Sequence, residues 1–344
     1  MRSDKYWQQR FVELEEALEQ LARITASQIN AFHDNTLADM EKELAAWYQR
    51  FADENGVSYN EAKRLLTSEE IKKYRLSLKQ FLDYAQRENL PDEWKQRLQN
   101  AYLAREVDRL HALETLFRGY IERLSHNEET SLSDGLKKVY TKGYYHTAFN
   151  LQHGFGVGHS FAGVDEHKLS TVLTKPWAQD GKNFSQRIWE HKRSLIDTLN
   201  HEMTQAVTRG DDYRRATERV AQRMKVSRYN ASRLVMTEAA FASSKAHQDC
   251  FKELDVEQYQ FIATLDSRTS EICRDLDLRV FPLTEFKPGS NAPPMHCHCR
   301  SCTAPYFEDA EEEKRIARGE DGKTYLVPGD MSYREWQRLR TRSL

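Results

Sequence analysis

The sequence predicts a mainly α-helical protein, an elongated helical body that carries a small α+β lobe near its C-terminus. Three observations lead there. Of the 344 residues, 30% are charged, while there are only 14 glycines and 8 prolines, a composition that favours long solvated helices over many-stranded sheets. Apolar residues recur every three or four positions through the first half of the chain. Four of the five cysteines, with His296, fall between residues 273 and 302, which marks a late lobe needing its own staple.

The first element is a long helix. Phe11, Leu14, Leu18, Leu21, Thr25, Gln28 and Phe32 follow the helical spacing, and Leu37, Met40, Leu44, Trp47 and Phe51 continue it with a shifted phase. One very long helix or two stacked ones fit this pattern, either in a bundle or in an oligomerising coiled coil; the polar Thr25 and Gln28 interrupt a coiled-coil seam. Asn55-Gly56 ends the run. Ser58 caps a short helix with Glu61 three residues on, and Thr67 to Glu70 starts another. Leu90-Pro91 breaks the pattern, and a helix is expected from Asp92 to Arg123 with Leu103, Val107, Leu110, Leu113 and Leu116 on its buried face. The glycine-dense run Leu151–Gly163 contains His153 and His159. It matches no phosphate-loop or dinucleotide pattern, so loop histidines are expected there. After the Asp180-Gly181 turn, Phe184, Ile188, Leu195, Ile196 and Leu199 form an amphipathic helix.

From Arg209 to Arg233 there are eight basic and three acidic residues. Arg214, Arg215, Arg219, Arg223 and Arg228 are candidates to face the phosphates of DNA; a solvated face laced with ion pairs is the alternative. No recognised DNA-binding motif accompanies them. A helix from Ser232 to His247 then carries Arg233, Thr237 and Glu238.

Tyr259–Leu265 reads as a strand that delivers Asp266. Arg268 is placed to answer Asp266 or Glu238, so Arg233, Thr237, Glu238, Asp266 and Arg268 are expected in a buried polar network joining lobe to body. Cys273 follows on a short turn, Phe281-Pro282-Leu283 resembles an edge strand, and Pro293-Pro294 forces an extended approach to His296. Cys273, His296, Cys299 and Cys302 supply thiolate sulfur and imidazole nitrogen, the donors of a tetrahedral structural zinc. Cys297 and His298 compete as ligands, and a metal-free packed turn is the other reading. A catalytic zinc, as in a hydrolase, lacks a candidate base in the sequence. Beyond an acidic run, Glu308 to Glu313, a strand is expected at Tyr325–Val327 and a helix capped near Ser332, with Glu335 three residues later and Trp336 as its anchor.

These elements divide the chain into a long-helix or helical-hairpin region (1–150), a helical core with a basic face (151–250), the small Cys/His lobe (251–307) and an extension with a short helix (308–344). The net charge of -2 gives no global attraction to nucleic acid. No apolar run is long enough to span a membrane, and the first residues lack the apolar core of a signal peptide. The odd, clustered cysteines suit a reducing, cytoplasmic setting.

Taken together, Arg233 with Thr237-Glu238, then Asp266-Ser267-Arg268-Thr269 with Cys273, then Pro293-Pro294-Met295-His296 with Cys299-Arg300 resemble the motif set of phage head morphogenesis or minor capsid proteins related to the F protein of phage Mu. The terminal GDMSYREW and the ENGVSYNEAKRLLT segment fit the same group. Three positions depart from its pattern: Met236 stands where the family often has arginine, and Ser270 and Ser301 where it often has cysteine. The resemblance implies a non-enzymatic, low-copy structural protein of the procapsid interior. Its implied partners are the portal and the scaffold or major capsid protein, with a role in assembly and in packaging or delivering the DNA. No nucleophile–base pair stands out against that expectation.

Overall fold

The computed structural model describes residues 3–49, 59–155, 163–178, 180–307, 314–318 and 324–328, together with Met331 and Glu335. The fold is mainly helical with a small α+β lobe, as the composition predicts. Helices α1 (Asp4–Gln49), α2 (Tyr59–Ala62), α3 (Ser68–Arg87), α4 (Asp92–Leu103), α5 (Arg109–Phe155), α6 (Glu166–Thr174), α7 (Phe184–Arg209) and α8 (Tyr213–Glu253) come first. Then follow β1 (Gln258–Ile262), α9 (Glu271–Leu276), β2 (Val280–Pro282), β3 (Cys302–Tyr306), β4 (Lys314–Arg318) and β5 (Thr324–Pro328).

The first 46-residue element is one helix, not two. Its buried stripe is Trp7, Phe11, Leu14, Leu18, Ala22, Thr25, Ile29, His33, Thr36, Met40, Leu44 and Trp47, in unbroken steps of three or four. The phase shift expected from the apolar residues is absent. Gln28 is exposed and Phe32 only half-buried, because Ile29 and the polar His33 and Thr36 hold the core positions instead. Thr25 is accommodated by donating its hydroxyl to the Leu21 carbonyl at 3.1 Å. His33 lies against the Glu128 carboxylate.

The helix expected from Asp92 to Arg123 is two helices. The Val107 carbonyl accepts the Leu66 N–H at 2.9 Å, which takes it out of a helical ladder. Asp108 then caps a new start by accepting the His111 N–H at 2.8 Å. Leu103, expected to be buried, ends α4 at 62% exposed. The start of α3 is as read: Thr67 and Glu70 form a reciprocal capping box.

The chain forms two compact units, neither of them a contiguous block of sequence. One comprises residues 27–131 and 185–232. Its core packs Met40, Leu44 and Trp47 with Leu113, Phe117, Ile121, Leu199 and Met203, and a second cluster joins α3 and α4 through Tyr74, Leu78, Phe81, Trp94 and Leu98. A buried ion pair, Lys192 to Glu122 at 2.8 Å, sits inside it, with the ammonium 3.5 Å from the centre of the Trp189 ring.

The other unit comprises residues 1–26, 132–184 and 233–344. Phe11 packs on Phe251 and edge-on to His247. Three antiparallel strands in the order β2-β1-β3 form the lobe's sheet, with Gln258 opposite both Pro282 and Tyr306 and Ile262 opposite Cys302. Gln8 donates to Gln260 at 2.9 Å, fastening α1 to the central strand. β2 is the edge strand the sequence suggests. β1 is shorter than expected: at Ala263 the backbone N–H turns to the Asp277 carboxylate at 2.9 Å, which ends the strand before Asp266. The strand expected at Tyr325–Val327 is β5, paired with β4, whose pairing the sequence did not suggest. The caps and anchors expected at Asn55-Gly56, Ser58, Ser332 and Trp336, the acidic run Glu308 to Glu313, and His159 lie outside the described residues.

Candidate metal centre and its polar lock

Local structure brings the soft ligands together. Ser270 caps α9, accepting the Cys273 N–H at 3.4 Å, so Cys273 sits on a short helix rather than the expected turn and is buried against Phe261 and Ala263. After the proline pair, the Cys299 N–H donates to the His296 carbonyl at 3.2 Å, closing a turn that puts both side chains toward α9. The ligand atoms of Cys273, His296 and Cys299 lie within 4.8 Å of one another. Cys273 Sγ is 3.4 Å from His296 Nε2 and 3.8 Å from Cys299 Sγ.

These distances fit zinc. Zn–S bonds of about 2.3 Å and Zn–N bonds of about 2.05 Å at tetrahedral angles give sulfur–sulfur edges of about 3.8 Å and sulfur–nitrogen edges of about 3.6 Å. The imidazole is oriented for the task, because Nδ1–H donates to the Cys297 carbonyl at 2.8 Å and leaves the Nε2 lone pair facing the sulfur. The geometry is consistent with a structural zinc held by three residues of the chain. Cys302, expected as the fourth ligand, is not among them. It begins β3 opposite Ile262, and the sheet register buries it there. Cys297 is exposed.

Electrostatics divides the two thiols. The hydrogen-bonding contact with Cys299 holds the Cys273 pKa below the ordinary value; burial opposes this, and the Ser270 and Ser301 hydroxyls and the Arg300 charge assist it. The same contact and burial push Cys299 up. On α1, burial raises the Glu15 carboxyl to about 8; Ser243 donates to it at 2.5 Å, and the neighbouring charges of Cys299 and Glu19 add to the rise.

The polar network is differently composed from the one expected. Asp266 receives both arms of Arg300, Nη1 at 2.5 Å and Nη2 at 2.8 Å, with the Arg268 backbone N–H at 2.9 Å and the Thr269 hydroxyl at 3.1 Å. Burial opposes ionisation, but these bonds and the Arg300 charge hold the carboxyl down at about 2. The Arg268 side chain is 74% exposed and comes no nearer than 4.0 Å. A two-pronged guanidinium from Cys299's neighbour outcompetes the arginine two residues away, whose own contribution is its main chain. Glu238 is buried and accepts from Trp177 Nε1 at 2.9 Å, while Thr237 donates to the Arg233 carbonyl at 2.7 Å. Trp177 and Arg300 are the partners that sequence reasoning missed. Arg300 stood inside the quoted motif, but its pairing depends on the chain doubling back over 34 residues.

The candidate DNA contacts are mostly engaged with carboxylates. Arg219 reaches Glu202 at 3.3 Å and Asp211 at 2.9 Å, Arg223 reaches Glu202 at 2.5 Å, Arg228 reaches Asp34 at 2.8 Å and Arg214 reaches Glu218 at 3.8 Å. Arg223's hydrogen bond, with that of Arg219, holds Glu202 below the usual carboxylate range. Arg215 is exposed, and its N–H is bonded to Asp212 at 2.9 Å.

The fold and site define a class: a helical protein whose small terminal sheet is clasped by a thiolate–imidazole cluster and an aspartate–arginine fork. Residues 197–304 match the family described as Phage Mu protein F like protein, a span that runs from α7 through β3 and contains both the cluster and the fork. That match supports assignment of the chain to the phage head-morphogenesis family, and with it a general structural, capsid-related role. No curated protein and no solved structure matches the chain. Among the described residues no helix is long and apolar enough to cross a membrane.

Proposed function

We propose that the protein is a non-enzymatic minor capsid component that acts inside the procapsid, against the portal and the scaffold or major capsid protein. The observation that carries this reading is the family match over residues 197–304, where the matched segment is also the part locked by Asp266–Arg300 and the Cys/His cluster. In this reading the lobe is a rigid tab on helices that supply the contact surface. The zinc, when bound, supplies a cross-link between α9 and the turn at 296–299 and no chemistry on a substrate.

The test is copurification with portal and scaffold proteins of the same phage, combined with deletion of the gene. Binding that survives moderate salt and particles of reduced infectivity are the expected results. Particles of full titre that lack the protein would remove the reading. Contact with packaged DNA through the basic helix is a weaker second reading, because most of its arginines already face carboxylates.

A further inference from the structure

The cluster that fits zinc contains a second chemistry. We propose that Cys273 and Cys299 are an oxidisable dithiol, which hydrogen peroxide joins into an intramolecular disulfide when no metal holds the pair. The proposal uses two of the three residues of the metal reading but does not require that reading to hold.

Three observations carry it. The two sulfurs are 3.8 Å apart, and closing to a bond of about 2.05 Å needs only a small movement of each. Both cysteines are buried, which excludes bulky oxidants and favours one the size of water. A cavity of about 20 Å³ lies against Cys299, lined also by Glu15, Glu19 and Arg300, and its size admits one such molecule.

The steps balance. The Cys273 sulfur attacks one peroxide oxygen. The O–O bond breaks, the departing hydroxide takes the Cys273 proton as water, and Cys273 is left as a sulfenic acid. The Cys299 sulfur then attacks Cys273 Sγ. An S–S bond forms, the S–O bond breaks, and hydroxide leaves with the Cys299 proton as a second water. One peroxide is reduced to two waters while two thiols become one disulfide.

The experiment uses the full chain, reduced, freed of metal by a chelator and desalted, both as wild type and as Cys297→Ser, which removes the exposed thiol. Each is treated with hydrogen peroxide and digested without reduction for mass spectrometry. The expected product in both is a linked pair of peptides containing Cys273 and Cys299, lighter by about 2 Da than the sum of the reduced peptides. Zinc added beforehand should slow its formation roughly tenfold or more, because the thiolates are then ligands. Sulfinic acid on either cysteine without a link, links to Cys250 or Cys302 instead, or no reaction in Cys297→Ser overturns the proposal. A 273–299 link in a chain that takes up no zinc supports it and removes the metal reading alone. A chain that binds zinc but forms no link when stripped overturns it and leaves the metal reading standing.

Discussion

At the scale of single residues, Asp266 separates two arginines that look equivalent in sequence. Arg300 makes a bidentate pair with it, and removing Arg300 leaves a mostly buried carboxylate with its main counter-charge gone. Arg300→Ala is expected to cost about 2–4 kcal/mol, discounted for the solvent that still reaches the pair. Arg268→Ala should stay within about 0.5 kcal/mol, since its side chain is solvated and its N–H remains. Urea titrations of both variants check this; equal losses would return Arg268 to the lock. Acid acts through a different residue. His247 is fully buried between Phe11 and Phe251, and burial lowers its pKa from 6.5 to about 3. The unfolded chain takes up a proton at this position below about pH 6.5 that the folded chain refuses down to about 3, so His247's share of stability is complete above that window and falls within it as pH drops, by about 1.4 kcal/mol per unit. Glu15 has the opposite sign. Its folded pKa of about 8 exceeds 4.5, so its contribution is present at low pH and is lost as pH rises through 8. Subtracting the stability–pH curve of His247→Leu from that of the wild type should isolate the first slope; parallel curves between pH 4 and 6 would reject it.

At the scale of elements, close helix packing decides where substitutions are tolerated. A Cβ on Gly119 of α5 would come within 2.6–2.9 Å of three atoms of the Phe81 ring on α3. Gly119→Ala is therefore expected to destabilise by about 1–3 kcal/mol despite alanine's better helix propensity, because the ring must leave its place. Thermal unfolding would show it, and Gly119→Ala combined with Phe81→Leu should recover part of the loss. The α4–α5 break shows the same logic from sequence. Continuous apolar spacing predicted one helix, yet two backbone bonds, Leu66 N–H to the Val107 carbonyl and Arg109 N–H to the Arg64 carbonyl, and the Asp108 cap divide it. Local periodicity cannot register a carbonyl recruited by a distant segment. Thr67 and Glu70, by contrast, act within three residues of themselves, and capping of that kind is readable along the chain.

At the scale of the whole molecule, the metal reading predicts about one zinc per chain in protein purified without chelator or added metal. Chelation should lower the melting temperature, and Cys299→Ser should abolish both the metal and the shift. A metal-free chain with unchanged melting would leave the cluster as packing. If the basic helix met DNA, binding would weaken steeply with salt, and charge reversal at Arg219 and Arg223 would weaken it further. The ion pairs to Glu202 and Asp211 predict little effect from either change.

The sequence by itself determined the helical class, the small late lobe, the edge strand at Phe281 and the convergence of Cys273, His296 and Cys299. Each of these rests on spacing, capping or a short return of the chain, which local residue order specifies. The tertiary structure decided the rest. It put His33 and Thr36 on the core stripe of α1, gave Asp266 to Arg300, gave Glu238 to Trp177 and held Cys302 in the sheet. In each case the outcome was a competition among partners distant in sequence, settled by which side chain arrived with the better geometry once the backbone had closed.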